Sequence, residues 1–218
     1  AKIMIMAREM KKEQLKDIME NEPNVMEVEI FIHGSICGAY SGRCFLIDFI
    51  ACRNANLGDC AQSCRWSYNM YVEEKNNPGN MMPVETDENG TYIMSSKDLC
   101  LIRRIPDIVN MGVTSLKIEG RLKSEYYVAS VVNVYRNAID DYMKDPEHYD
   151  YTKYLKELDK TKTRSLTEFF FNDKKNRDFQ EYEGKQYNQD YEYGGLIIEY
   201  NEDKSIIKIG NKLSVGDK

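Results

Sequence analysis

Ile3, Met4, Ile5 and Met6 form a short apolar run within 2–7, and Leu15, Ile18 and Met19 then recur at helical spacing across 11–21. The pattern predicts a strand followed by a helix. Pro23 and Asn24 break that helix, after which Val28, Ile30 and Ile32 alternate with Glu27, Glu29 and Phe31, so 25–32 reads as a second strand and completes a βαβ unit. Glu29 then points away from the aliphatic face. In a barrel it would face the lumen near the C-terminal strand ends, where such barrels keep their chemistry.

From His33 to Arg65 the periodicity stops, and the segment holds Gly34, Gly38, Gly42, Gly58 and five cysteines. A long structured loop is expected, and such loops are usually functional. Strands are expected at 67–73 and 91–95, around a polar arm containing Pro78, Gly79, Asn89 and Gly90. Residues 98–105 read as amphipathic through Leu99, Ile102 and Ile105; Pro106 suits the first turn of a short helix and Gly112 its stop. A strand at 113–118 follows, then a turn at Glu119-Gly120-Arg121, then a long helix capped by Ser124 and running through Met143. This alternation predicts an α/β fold with a mainly parallel sheet or barrel.

Beyond Asp145 the sequence becomes polar and aromatic, with a helix expected at 149–163 and Phe169 to Phe171 pinning it to the core. Residues 194–210 carry a hairpin pattern around Asn201-Glu202-Asp203. A lone hairpin is marginal in water, so it is expected to open a small β-barrel domain that continues past Lys218. Three regions result: 1–145, the α/β part with its cysteine-rich insertion; 146–190, a helical or irregular margin; and 191–218, the start of the β domain. The start at Ala1, inside a strand-like run, also predicts a piece of a longer protein.

Composition changes this picture at two points. The net charge of -6 argues against a nonspecific nucleic-acid coat, which usually needs a basic domain, although Lys97, Arg103, Arg104, Lys117, Arg121 and Lys123 gather in one stretch and leave room for a local anion-binding surface. No run reaches the roughly 18–20 apolar residues of a membrane span and no signal-peptide block opens the chain, so a cytoplasmic protein with no membrane contact is expected. The six cysteines form no disulfide scaffold for a chain of 218 residues. Cys37, Cys44, Cys60 and Cys64 have the spacing C-x6-C-x15-C-x3-C, with Cys52 inside the long gap. Four thiolates satisfy a tetrahedral zinc or a [4Fe-4S] cluster. The gaps lack the two-residue spacing of zinc ribbons, which favours a cluster, yet spacing alone leaves both open.

Glu29-Ile30-Phe31-Ile32-His33-Gly34-Ser35-Ile36-Cys37, followed by Gly42-Arg43-Cys44, resembles the signature of peptidase family U32, the collagenase-like proteases. The likeness extends through Arg53-Asn54-Ala55-Asn56, Cys60-Ala61-Gln62-Ser63-Cys64-Arg65-Trp66, Ser96-Lys97-Asp98-Leu99-Cys100 and Lys117-Ile118-Glu119-Gly120-Arg121-Leu122-Lys123, over roughly residues 1–140. Ile47, where the signature usually has Ser, and the extra Cys52 depart from it. The resemblance implies the later βα units of a TIM-like (β/α) barrel, and two competing activities. One is proteolysis. The other is hydroxylation of a pyrimidine in tRNA, or less expectedly in rRNA, using an iron-sulfur cluster on Cys37, Cys44, Cys60 and Cys64 and prephenate as a small dicarboxylate co-substrate, with a related subunit of the same family as a further partner.

A hydrolase needs an activated nucleophile with its base, or a metal-bound water at an open position. Four thiolates around zinc form a closed site, whereas base hydroxylation calls for redox-capable cofactor chemistry. Hydroxylation is therefore the expected activity, with peptidase the alternative and a zinc-stabilised RNA or protein adaptor the third reading. Glu29, His33, Glu119 and Arg121 are the candidate catalytic residues, with His33 equally suited to a supporting hydrogen bond and the Glu119–Arg121 pair to a structural role. Arg43 and Arg65, each beside a cysteine, and Lys117 and Lys123 are the candidate substrate-binding cations. Trp66 and Tyr68 could stack on a base, but core packing is the expected role of both.

Overall fold

The computed structural model describes residues 2–214 except 22–25, 38, 41, 45, 55–56, 67, 69, 74, 77, 80, 85–95, 162–163, 173–192 and 202–203, and only the backbone of 48, 49, 65, 70, 72 and 81–84. Strand β1 (Ile3–Ile5) leads into helix α1 (Lys12–Asn21) and strand β2 (Glu27–Ser35). Strand β2 is the hub of the main sheet. Its first residues pair in parallel with β1, Ile5 opposite Glu29. A parallel partner, a later strand at Ser115–Ile118, takes Glu29 to His33, with a register shift between Phe31 and His33. Val28, Ile30 and Ile32 are buried, as their alternation requires.

The end of β2 departs from the sequence expectation. It runs on to Ser35, because His33, Gly34 and Ser35 pair antiparallel with Cys100, Leu99 and Asp98. Residues 98–100 are accordingly a strand, not the head of an amphipathic helix. The run Leu99 to Ile102 is buried throughout, and a short continuous apolar run does not distinguish strand from helix by period. The expected loop at 33–65 is also more ordered than its sequence suggests, since it contains helix α2 (Leu46–Ala51), with Ile47 buried, and a 3-10 turn at Ser63–Arg65. Strands β3 (Met70–Glu73) and β4 (Met81–Val84) form the expected arm as an antiparallel pair; the strand expected at 91–95 lies outside the described residues.

After β5 (Asp98–Cys100) come α3 (Ile105–Asn110), with Pro106 in its first turn and Gly112 at φ +78 just beyond its end, and β6 (Ser115–Ile118). Helix α4 (Glu125–Lys144) starts where the sequence places it, with the Ser124 side chain accepting the Tyr127 N–H. Its Tyr127, Val131, Val134, Tyr135, Ala138 and Tyr142 are buried. Each large apolar side chain so buried contributes roughly 1.5–3 kcal/mol. The Tyr135 hydroxyl fixes this helix to the sheet by accepting the Leu101 N–H at 3.1 Å and donating to the Ile32 carbonyl at 3.0 Å.

Helix α5 (Thr152–Leu158) is shorter than the expected 149–163. A two-residue strand β7 (Leu166–Thr167) pairs with β5, and Phe171, in the 3-10 turn at Phe169–Phe171, reaches the core. The expected hairpin is present as β8 (Gly195–Tyr200) and β9 (Ser205–Ile209), in a sheet of its own. Among the described residues, no helix is long and apolar enough to cross a membrane. The result is a mixed α/β fold in which three parallel strands, in the order β1-β2-β6, bring their C-terminal ends together.

Candidate active site

Chain segments leaving β1, β2 and β6 surround a cavity of about 220 Å³. Open α/β sheets characteristically bind ligands beyond the carboxyl ends of their strands. Cys37 stands two residues past β2, while Cys44, Cys60 and Cys64 come from the segment that folds back over the strand ends, and all four line this cavity. The Cys37 sulfur accepts the Ala39 N–H at 3.4 Å and the Cys60 sulfur accepts the Gln62 N–H at 3.3 Å. Burial pushes the Cys37 thiol up, the Ala39 N–H partly offsets this, and the other three thiols push it up further. Clustered thiolates of this kind are relieved by a bound cation. Among the described residues, no three His, Cys, Asp or Glu side chains converge closely enough to hold a single metal ion.

Cys52 and Cys100 stand apart from this group. Cys52 is exposed, and Cys100 is buried in the core with its thiol pushed up to about 11, chiefly by burial.

The same cavity carries charge. Glu119, just past β6, accepts the backbone N–H of Arg121 at Oε1 (2.8 Å) and pairs through Oε2 with Arg8 at 3.1 Å. Arg121 also donates to the Gly58 carbonyl, which ties the β6 end to the cysteine-bearing segment. Gly34 makes this close approach possible: at φ +110, a Cβ there would lie 2.4 Å from the Glu119 carbonyl oxygen. Tyr40, 67% exposed, also lines the cavity.

Of the candidate catalytic residues, Glu119 and Arg121 share this cavity with the four cysteines. Glu29 lies further back along β2, where Ser115 donates to it at 2.7 Å and Lys117 approaches at 3.3 Å. The Ser115 hydrogen bond, and then Lys117, hold its carboxyl below the usual range against the opposing effect of burial. Lys117 is thus engaged by Glu29 and also lies 5.1 Å from the centre of the Phe31 ring.

His33 is buried against Tyr127 and Tyr135, its Nδ1 3.3 Å from the Tyr135 hydroxyl. Burial pulls it down to about 4; Asp98 opposes this and Lys123 reinforces it. Lys123 faces inward, 3.5 Å from the fully buried Asp98. The two form an ion pair, and Lys123 is not among the residues that line the cavity. Arg43 is exposed and stands outside the cavity wall, and the Arg65 side chain lies outside the described residues. Trp66, expected in the core, is 44% exposed with its indole N–H on the Ala61 carbonyl, while Tyr68 is half-buried and donates to the Ser63 carbonyl. The cation that sequence reasoning missed is Arg8, whose position directly after the first apolar run was the available signal.

Fold and cavity together define an α/β protein with a cysteine-lined site at the ends of parallel strands. The chain belongs to peptidase family U32, whose family model matches residues 1–181. It is 39% identical to tRNA hydroxylation protein P1 of Bacillus subtilis, across 94% of this chain and 48% of that protein. It is 36% identical to tRNA hydroxylation protein P of Escherichia coli, across 98% of this chain and 55% of the relative. A collagenase of Porphyromonas gingivalis is 35% identical across 65% of this chain and 35% of its own length. The chain therefore spans about half the length of the curated tRNA hydroxylation relatives it matches. No solved structure matches it.

Proposed function

We propose that this protein is an enzyme component that hydroxylates a pyrimidine in tRNA, with a [4Fe-4S] cluster held by Cys37, Cys44, Cys60 and Cys64 and with prephenate as co-substrate. The observation that carries the reading is the gathering of four thiols around one cavity at the ends of three parallel strands. Zinc with Zn–S bonds of about 2.3 Å draws four sulfurs to within about 3.8 Å of one another. The uneven sequence gaps between the four cysteines, which lack the two-residue spacing of zinc ribbons, favour a cluster over a single zinc ion. A cluster bound there supplies one-electron redox chemistry that side chains lack.

The chain's own residues would bind and orient the reactants. Arg8 and Arg121 place positive charge in the cavity that the thiols line, Glu119 accepts from the Arg8 guanidinium and the Arg121 backbone N–H, and Tyr40 offers an exposed aromatic face on which an unstacked base can rest. The names of the two tRNA hydroxylation relatives support tRNA over rRNA as the substrate. The peptidase reading is less well supplied. His33, the histidine nearest the cysteines in sequence, is buried beside Tyr135 and pulled down to about 4, which makes it a poor base for a cavity thiol. A zinc-stabilised adaptor is the third reading.

The parallel order β1-β2-β6, with α1 between the first two strands and α4 after the third, is what a sector of a (β/α) barrel contains. We read the chain as such a sector, followed at β8 and β9 by the opening of a small β domain, in a cytoplasmic protein that works with a related subunit. Anaerobic purification with iron and sulfide analysis, paired with mass spectrometry of tRNA nucleosides from cells lacking the protein, tests the proposal. About four iron and four sulfide per chain and loss of a hydroxylated pyrimidine are expected. A zinc-loaded, iron-free protein with unchanged nucleosides would refute it.

A further inference from the structure

The guanidinium of Arg8 is fixed from three sides. Nη1 donates to the Ser35 carbonyl at 3.0 Å, Nη2 donates to Glu119 Oε2 at 3.1 Å, and the Phe31 ring centre lies 4.0 Å from Cζ. These hydrogen bonds use two of the five N–H donors a guanidinium carries. The side chain keeps 17% exposure and lines the cavity that the four cysteines share. Arg121 lines it too, and its backbone N–H holds the other oxygen of Glu119. The Arg8 guanidinium and the Arg121 backbone N–H therefore share a single carboxylate, while the Arg121 guanidinium is held by the Gly58 carbonyl.

We propose that Arg8, with Arg121 beside it, binds the carboxylate of a small acid, and that Glu119 occupies Arg8 until that carboxylate arrives. The planar fork of arginine matches a carboxylate in bidentate fashion, and the contacts to Ser35 and Phe31 set its orientation before the ligand enters. Exchange of one carboxylate for another leaves the charge on Arg8 compensated throughout. A cavity of about 220 Å³ falls below the roughly 300–1,000 Å³ of pockets for drug-sized ligands, which favours a small acid over an entire nucleotide. The inference rests on the reading above that the reaction takes a carboxylate co-substrate.

Isothermal titration calorimetry of the full-length protein with prephenate tests it, with melting curves to establish that each variant is folded. Saturable binding is expected for the wild type. Arg8→Lys keeps the charge but loses the fork and should bind at least tenfold more weakly, whereas Glu119→Gln removes the competing carboxylate and should bind several-fold more tightly. Equal affinity of wild type and folded Arg8→Lys, or weaker binding by Glu119→Gln, overturns the proposal. So does the absence of prephenate binding to the wild type, whatever the nucleoside analysis gives. Inorganic phosphate is the second probe: saturable phosphate binding that Arg8→Lys abolishes would assign the arginine to the RNA backbone instead. Prephenate binding that follows both variants while tRNA nucleosides stay unchanged leaves the site standing and removes the hydroxylation reading.

Discussion

Replacing Gly34 by alanine probes the joint on which the whole cavity is built. The added methyl would lie 2.4 Å from the Glu119 carbonyl oxygen and 2.9 Å from the Glu119 Cβ, at a backbone φ of +110. Neither atom can swing aside, because the Glu119 N–H is bonded to the His33 carbonyl at 2.9 Å. The unfavourable φ costs about 1–3 kcal/mol, and forcing apart a packed strand pair costs a similar ~1–3 kcal/mol. With partial relaxation the total is about 3 kcal/mol, which for a chain of this size lowers Tm by about 6–12 °C. The same displacement pulls the competing Glu119 carboxylate away from Arg8, so acid binding should tighten even as stability falls. Thermal unfolding followed by circular dichroism, beside calorimetric titration with prephenate, measures both effects. A Tm within about 2 °C of wild type would refute the claim that this glycine sets the approach of β6 to β2.

Ser124→Ala removes the cap that accepts the Tyr127 N–H and should cost about 1 kcal/mol in urea unfolding, against no change for Ser124→Asp. Tyr135→Phe removes the hydroxyl that bonds the Ile32 carbonyl and the Leu101 N–H, but that N–H keeps the Ile32 carbonyl at 2.9 Å, so the change should cost only about 0.5–1.5 kcal/mol by the same assay. His33 takes a proton near 6.5 when unfolded and only near 4 when folded, so the unfolded chain binds more protons between these values. The stabilisation from keeping it neutral is complete above pH 6.5 and is lost as pH falls toward 4, by up to about 3 kcal/mol. His33→Gln should therefore flatten the stability–pH curve between pH 6.5 and 4, as read by urea titrations across that range.

Much of this arrangement was legible from residue order. Periodicity located β1, α1, β2 and α4, and the Ser124 cap and the Pro106 helix start fall where local chemistry puts them. Cys37, Cys44, Cys60 and Cys64 line one cavity, and Cys52 and Cys100 are not among its lining residues. Tertiary pairing hid the rest. Residues 98–100 carry no strand alternation because both faces are covered, and only the antiparallel match to 33–35 makes them a strand. That Lys123 meets the buried Asp98 and that His33 packs against two tyrosines could not be read from residue order either, since polar side chains are usually exposed. Arg8 lies 111 positions from Glu119 and became visible only when β2 brought the ends of β1 and β6 together.

The most direct test of the central claim is complementation of a strain lacking this protein, read by mass spectrometry of its tRNA nucleosides. Cys60→Ser removes one of the four cavity thiols, and Cys52→Ser removes an exposed thiol outside it. Wild type and Cys52→Ser should restore the hydroxylated pyrimidine, and Cys60→Ser should not. Restoration by Cys60→Ser at the wild-type level would contradict the claim.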